Sequence, residues 1–248
     1  MSARRRPPLP GLNRRPLAVA VLYDFQRLVS EARRAARWGA DALEIRADCF
    51  PRSSLKPEIL RPALALVREE TSLPLIFTLR SRAEGGRLPR WFGEQNRLTL
   101  FRAVFPEVTV VDVELSAGDI VRNVVTESHK RGRYVILSAH NFSRTPSDRE
   151  LRLLSKKARR LGGDIFKVAA KVTTREEMER LMGFCRQLPF RYKVFLPMGP
   201  LGTETRLQGL FWGSALSYGY VDAPGATGPV ALKSIVAAHH ALRRRPPA

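Results

Sequence analysis

One lysine, Lys167, lies near the end of the apolar run Gly163 to Ala170, which has the length of a buried strand. Most lysines extend their amine to water, and this is the simplest interpretation of a single such residue. An amine held among apolar neighbours can instead lose its proton and attack a carbonyl carbon to form an imine. The residues that follow the neighbouring apolar runs decide between these interpretations.

Other residues able to do chemistry follow successive apolar runs in the same way. Arginines offer paired donors to a carboxylate, and a histidine that titrates near neutral pH can move protons. Nearby arginines are also expected to push Lys167 toward its neutral, nucleophilic form. Together these residues predict an imine-forming enzyme for an acidic, oxygen-rich keto compound. They are Glu44, Arg46, Arg80, Glu84, His140 and Arg206.

The elements that would position these residues alternate between strands and helices. We count eight strand–helix units, from the strand Leu17 to Leu22 to a final helix over about Val230 to Leu242. This alternation favours parallel pairing, and eight units in about 230 residues predict a single-domain (β/α)8 TIM-type barrel, whose strands end at one mouth. A doubly wound open sheet is the alternative, but no glycine-rich dinucleotide loop follows the first strand.

The predicted barrel covers residues 17–242. Residues 1–16 are basic and proline-rich and are expected to form a flexible arm, and 243–248 resemble them as a basic tail. No apolar run of about 18 residues predicts a membrane span, and the N-terminus lacks the apolar region of a secretory signal. Cys49 and Cys185 lack metal-ligand spacing, which disfavours a zinc site or a disulfide framework and favours a reducing cytoplasm.

The charge balance is strongly basic, with 43 Lys and Arg against 23 Asp and Glu and a net charge of +20. Such a chain attracts anions: nucleic acid, acidic lipid or a small acidic substrate. The basic residues are dispersed and form no recognisable RNA- or DNA-binding motif, which disfavours a nucleic-acid partner. A basic binding protein on a catalytically weak barrel stays an alternative, as does another imine-forming barrel lyase or aldolase.

Six motifs, in order along most of the chain, resemble those of the type I 3-dehydroquinate dehydratases. Any one of them is a weak signal, and their order makes the set specific. The motifs are Glu44-Ile45-Arg46-Ala47-Asp48; Thr78-Leu79-Arg80 with Glu84-Gly85-Gly86; Ser138-Ala139-His140-Asn141-Phe142 with Thr145-Pro146; Lys167-Val168-Ala169; Met198-Gly199 with Gly202 and Arg206; and Ala223-Pro224-Gly225.

The resemblance implies a homodimeric (β/α)8 enzyme, free of metal and cofactor, that dehydrates 3-dehydroquinate to 3-dehydroshikimate in the shikimate pathway of aromatic amino acid biosynthesis. Lys167 would form the imine at the substrate ketone. His140 would take a proton from the adjacent carbon, protonate the leaving hydroxyl and assist imine formation and hydrolysis, with Glu84 as its partner. The residues implied in substrate binding are Arg206 for the carboxylate and Glu44, Arg46 and Arg80 for the ring hydroxyls.

The eighth loop departs from the family pattern. The family usually has Ser-Ala-Pro-Gly-Gln where this chain has Asp222-Ala223-Pro224-Gly225-Ala226. Ala226 lacks the hydrogen bonds of a glutamine amide, and Asp222 places a negative charge near an anionic substrate. Since a lost hydrogen bond to a ligand costs about 0.5–3 kcal/mol, we expect weaker binding or poorer closure of this loop, with the chemistry retained.

Overall fold

Eight parallel strands form the centre of the molecule. The computed structural model describes residues 9–12, 15–208, 212–222 and 230–243. In chain order the strands are β1 Leu17–Leu22, β2 Ala42–Arg46, β3 Leu75–Thr78, β4 Val110–Glu114, β5 Tyr134–Asn141, β6 Ile165–Lys171, β7 Lys193–Met198 and β8 Leu216–Tyr220. Each strand from β1 to β6 pairs in parallel with the next strand along the chain, and β1 also pairs with β8.

Helices surround this sheet, and the outward-facing side chains of the strands form the larger hydrophobic core with them. The helices are α1 Leu28–Arg37, α2 Pro57–Glu70, α3 Glu94–Val104, α4 Ile120–Lys130, α5 Asp148–Leu161, α6 Arg175–Gln187, α7 Gly202–Leu207 and α8 Leu232–Arg243. In the ranges that the structure describes, no helix has the length and apolar character needed to cross a membrane.

The sheet curls until its two edge strands meet. The backbone nitrogen of Ala215, just before β8, donates to the carbonyl of Lys193 on β7 at 2.7 Å. The backbone nitrogen of Phe195 on β7 donates to the hydroxyl oxygen of Ser214, just before β8, at 3.2 Å. The predicted (β/α)8 barrel is thereby confirmed, and an open doubly wound sheet is excluded because its edges would lie apart.

The barrel interior changes from apolar to charged along the strand direction. Near the N-terminal ends of the strands, interior positions carry aliphatic residues such as Val19, Ile76 and Ile136, which belong to one buried cluster. On β4 and β6 this apolar layer is formed by Val110 and Ile165. Two residues further along the same two strands, the interior positions carry Asp112 and Lys167, both buried. The apolar layer closes the bottom of the barrel, and the charged layer forms the floor of its mouth.

Part of the predicted flexible arm is packed. Leu9 is fully buried and Leu12 is 6% exposed, and both join the aliphatic cluster at the bottom of the barrel. Arg15 pairs with Asp41 at the start of β2. These residues cover apolar surface that the barrel end would otherwise expose to water, so the described part of the arm is packed against the barrel. Residues 1–8, 13–14 and the tail 244–248 lie outside the described residues.

Side-chain caps begin two of the helices on the mouth side. At α5, Ser147 and Glu150 form a capping box, with the Ser147 hydroxyl accepting from the backbone of Glu150 and the Glu150 carboxylate accepting from the backbone of Ser147. At α6 the Thr174 hydroxyl accepts from the backbone of Glu177. The Glu177 carboxylate accepts from the backbone of Thr173, one residue earlier than in a standard box.

Candidate active site

A cavity of about 340 Å³ lies at the C-terminal ends of the strands. Its walls come from β2, β5, β6, β7 and β8 and from the loops after β3 and β7, so it occupies the mouth of the barrel. Seven of the nine residues singled out from the sequence line it together. They are Glu44, Arg46, Arg80, Glu84, His140, Lys167 and Arg206.

Lys167, the residue expected to form an imine, reaches the cavity from β6 and is only 4% exposed. Its Nζ lies 3.0 Å from Asp112 Oδ2 and 3.3 Å from Glu44 Oε1. The same nitrogen lies 4.2 Å from the centroid of the Tyr218 ring. Two carboxylates and an aromatic face therefore surround the amine.

The charge state of Lys167 differs from the expectation drawn from the sequence. Burial favours the neutral amine, but the carboxylates of Asp112 and Glu44 outweigh it and raise the pKa of Lys167 above its ordinary value. The prediction that nearby arginines hold this lysine neutral is wrong, because the carboxylates contact Nζ directly and Arg80 is itself paired with Asp112. Lys167 is therefore an ammonium in the resting site and must lose a proton before it attacks a carbonyl.

Asp112 holds this arrangement in place from β4. Its Oδ1 accepts from Arg80 Nη2 at 2.9 Å and from the Ser138 hydroxyl at 2.6 Å, while its Oδ2 faces Lys167. Burial alone would favour the neutral acid, but Arg80 and Lys167 keep the pKa of Asp112 well below its ordinary value. Because both oxygens are engaged, Asp112 is a fixed negative charge beside the amine.

The β2 side of the mouth is closed by a turn that the sequence did not predict. Strand β2 ends at Arg46, and a short 3₁₀ helix, Ala47–Cys49, follows. This turn brings Asp48 back onto Arg46, with two nitrogen–oxygen distances of 2.9 Å. Asp48 also accepts from the backbone nitrogen of Arg80 at 3.3 Å, which links the ends of β2 and β3.

His140, at the end of β5, is paired with Glu84 from the loop after β3. Its Nδ1 and its backbone nitrogen lie 2.8 and 2.9 Å from Glu84 Oε2. Ser116 donates its hydroxyl to the other Glu84 oxygen. The Phe142 ring stacks near the imidazole, with centroids 6.5 Å apart and planes 17° from parallel. The imidazole is thus fixed through Nδ1, and Nε2 is left to exchange a proton with a bound molecule.

The protonation of this pair suits a base that works near neutral pH. Burial, followed by the positive charges of Arg80 and Lys167, lowers the pKa of His140 well below its ordinary value. Burial raises the pKa of Glu84 to about 7. His140 is therefore a neutral imidazole at neutral pH and is free to accept a proton.

The loop that carries Glu84 is anchored by a second buried network. Glu114 accepts from the backbone nitrogen of Ser81 at 2.8 Å, and its other oxygen pairs with Arg97, which is 1% exposed. The loop turns so tightly at Gly86 that a Cβ there would lie 2.0 Å from a backbone oxygen. This anchoring explains how a loop residue, Glu84, is held against His140.

Arg206 approaches the cavity from α7 on the opposite side. It is 4% exposed, and its Nη1 donates to the carbonyl of Pro197 at 3.2 Å. The close approach requires Gly202, because a Cβ there would lie 2.1 Å from the Pro197 oxygen and 2.7 Å from Nη1. Burial lowers the pKa of Arg206 to about 10, so the guanidinium still carries its charge at neutral pH and would be stabilised by an anion in the cavity.

The two residues that depart from the family pattern are not part of the described cavity wall. Asp222, just after β8, pairs with Arg34 of α1 and lies 3.5 Å from Arg27 Nη1. These arginines offset its charge, which reduces the repulsion of an anionic substrate expected from the sequence. Ala226 lies in the segment 223–229, outside the described residues.

Sequence reasoning missed three residues of the site: Asp112, Phe142 and Tyr218. Asp112 and Tyr218 occupy interior positions of β4 and β8, and the two-residue period of those strands was the signal that could have found them. Phe142 stands in the motif Ser138 to Phe142, two residues after His140, but was given no role of its own. The missed residues matter because Asp112 and Tyr218 surround the Lys167 amine and Phe142 stacks near the His140 imidazole.

The arrangement combines a buried lysine, a neutral base and a buried cation around one cavity. It can form an imine with a carbonyl compound, move a proton at a neighbouring carbon and hold an anionic group. Across the described ranges, no group of three or more His, Cys, Asp or Glu residues is placed to hold a metal ion.

Comparison with known proteins points to one family. The family model of type I 3-dehydroquinase matches residues 18–246. A 3-dehydroquinate dehydratase of Methanosarcina barkeri is 34% identical over 225 residues, covering 88% of this chain and 90% of that protein. The crystal structure of a 3-dehydroquinate dehydratase from Geobacillus kaustophilus is 27% identical and matches 93% of this chain and 92% of its own, with a TM-score of 0.84. The Clostridium difficile type I enzyme with covalently modified comenic acid matches with the same TM-score at 26% identity, covering 93% of each chain.

Proposed function

The chain belongs to the type I 3-dehydroquinase family, and we propose that Lys167, His140 and Glu84 carry out the family's reaction in the cavity at the barrel mouth. That reaction is the dehydration of 3-dehydroquinate to 3-dehydroshikimate in the shikimate pathway, and the chain catalyses it as a carbon–oxygen lyase. The observation that carries the residue assignment is a buried lysine at the cavity floor, beside a strand that ends in a fixed, neutral histidine.

The reaction begins with the proton that Lys167 must lose. His140 is the neutral base of the site, so the ammonium proton passes to it and Lys167 becomes the amine that attacks the ketone. The resulting iminium withdraws electrons from the adjacent carbon and acidifies its proton. His140, neutral again after imine formation, removes that proton and then delivers it to the hydroxyl that leaves as water. Hydrolysis of the imine, again with His140 moving the protons, releases the product and restores the ammonium.

Substrate orientation is assigned to the charged groups at the rim of the cavity. Arg206 is a buried cation on the wall opposite the His140 loop, and we assign to it the substrate carboxylate. Glu44 and Arg46 line the cavity from β2 and are assigned to the ring hydroxyls. Arg80 also lines it, but its nitrogens are engaged by Asp112, Glu114 and Ser138, so its main task is to hold the floor of the site.

A covalent trap tests the proposal most directly. The protein is incubated with 3-dehydroquinate and sodium borohydride, and the reduced adduct is located by peptide mass mapping. We expect one adduct, on Lys167, since the other lysines lie outside the cavity lining. Borohydride without substrate is the control, and a panel of other keto acids tests for an aldolase-like activity. An adduct on a different lysine, or none in a folded protein, would contradict the proposal.

Replacement of Arg206 by methionine is expected to raise KM about 100-fold with a smaller effect on kcat, because truncation of one partner of a buried charge pair weakens binding by about 2–5 kcal/mol. Steady-state kinetics measure both constants. Arg175→Met is the matched control, since Arg175 is exposed and pairs with Glu204 on α7. An unchanged KM in the Arg206 variant would contradict this assignment and indicate that another cation binds the substrate carboxylate.

The compartment and the oligomeric state stay proposals. The free thiols of Cys49 and Cys185 fit a reducing cytoplasm, and burial raises the pKa of Cys185 to about 12, which makes it unreactive. A homodimer is expected from the family resemblance. Analytical ultracentrifugation tests it, and a monomer at micromolar concentration would contradict it.

A further inference from the structure

One buried hydroxyl at the cavity has no task in the reaction described so far. Tyr218 lies on β8, is 2% exposed and lines the cavity. Its hydroxyl oxygen has no hydrogen-bond partner of normal geometry among the residues that the structure describes. Burial of a hydroxyl without a partner costs free energy, and native structures rarely leave such a group without a bound molecule or a functional reason.

The ring that carries this hydroxyl lies beside Lys167, whose Nζ is 4.2 Å from the ring centroid, and the ammonium also acts as a donor toward the hydroxyl oxygen, which leaves the hydroxyl proton without an acceptor. The other polar groups around the amine already have protein partners. Glu44 accepts from the Thr78 hydroxyl at 2.9 Å as well as from Lys167, and Asp112 is engaged on both oxygens. Tyr218 is thus the polar neighbour of the amine that retains unused hydrogen-bonding capacity.

We propose that the Tyr218 hydroxyl donates a hydrogen bond to the substrate oxygen on the carbon that Lys167 attacks. This inference rests on the proposed function and adds a residue to its first step. For a bond to form, the ketone carbon must come within reach of Nζ, and its oxygen then lies beside the aromatic ring that Nζ contacts. From the ring contact and the hydroxyl proton that lacks an acceptor, we infer a donor at the position where negative charge develops during the addition.

The step that the hydroxyl assists is imine formation. The Lys167 amine bonds to the ketone carbon, and the electron pair of the carbonyl moves onto oxygen. That oxygen receives one proton from the attacking nitrogen and one from the imidazolium of His140, and it leaves as water while the nitrogen lone pair completes the double bond. Tyr218 keeps its own proton throughout and acts only as a hydrogen-bond donor.

The charges facing the amine are compatible with a phenol that stays protonated. They come from Glu44 on β2, Arg80 after β3 and Asp112 on β4, while His140 on β5 faces the amine as a neutral imidazole. Burial raises the pKa of Tyr218 above its ordinary value, and this effect outweighs the opposing influence of Lys167. The hydroxyl therefore remains a donor over the whole working pH range.

The test is Tyr218→Phe, which removes the hydroxyl and keeps the ring under the lysine. Rapid mixing of enzyme with 3-dehydroquinate, quenched with borohydride and followed by mass spectrometry, measures how fast the Lys167 adduct forms. We expect adduct formation about 10-fold slower than in the wild type, because one hydrogen bond to the developing oxyanion is lost. Deuterium at the abstracted position should also slow kcat less in the variant, since imine formation becomes rate-limiting.

The control is Tyr134→Phe, which removes a hydroxyl at the start of β5, at the opposite end of the barrel, and should leave both rates unchanged. Adduct formation at the wild-type rate in Tyr218→Phe would overturn the inference. A raised KM with an unchanged rate of adduct formation would also overturn it, because the hydroxyl would then bind a different substrate oxygen. If the wild type itself forms no adduct on Lys167, the proposed function fails, and the two failures are thereby distinguished.

Discussion

A Lys167→Arg variant is expected to form no borohydride-reducible adduct with 3-dehydroquinate and to lose kcat by about 10⁴-fold or more. The reason is that a guanidinium stays protonated at every working pH and cannot attack a carbonyl. Arginine keeps a positive charge between Asp112 and Glu44, so the electrostatics of the floor are retained while the nucleophile is removed. Mass spectrometry after borohydride treatment and a steady-state assay measure the two losses.

Lys167→Ala is the less informative variant of this position. It leaves the carboxylates of Asp112 and Glu44 buried without their cation, and loss of one partner of a buried ion pair destabilises a protein by about 3–5 kcal/mol. The alanine variant is therefore expected to unfold at a lower temperature than the wild type. Lys171→Ala is the matched control, because Lys171 is an exposed lysine on the same strand. Full activity in Lys167→Arg would end the imine mechanism for this chain.

A His140→Ala variant is expected to form the Lys167 adduct slowly and to lose kcat by about 10²–10⁴-fold, the usual contribution of a positioned acid–base group. His140 transfers protons in imine formation, carbon deprotonation, water release and hydrolysis. We therefore expect every one of these steps to be slower in the variant. Rapid-quench trapping and steady-state turnover separate the first step from the rest. His240→Ala, an exposed histidine on α8, is the control and should behave as wild type.

The pH dependence of kcat gives an independent readout of the same pair. In the wild type, Glu84 takes up a proton as the pH falls through about 7, its pKa, and His140 loses the carboxylate that orients its imidazole through Nδ1. Activity should thus be present above that pH and decline below it. The His140→Ala variant should lack this acid limb. Persistence of the limb without His140 would show that it does not arise from the Glu84–His140 pair.

Much of this protein was determined by its sequence. Alternating apolar runs predicted the eight strands and their helices, because the side-chain period of a buried strand is a local property of the chain. The same logic placed Lys167, His140 and Arg206 after successive strands, and parallel strands in a barrel bring such ends to one mouth. The Ser147–Glu150 capping box was also readable, since both partners lie within one helical turn.

What the tertiary structure decided depends on residues that are distant in the chain. Lys167 is charged because Asp112 and Glu44, 55 and 123 residues away, contact its amine, and no local pattern reports such contacts. Glu84 reaches His140 only because Glu114 anchors its loop from β4. The position of Tyr218 beside Lys167 likewise depends on the closure of the barrel, because β8 and β6 are distant in the chain. Sequence specifies which groups face the barrel interior, but their pKa values and pairings depend on distances that exist only once the barrel closes.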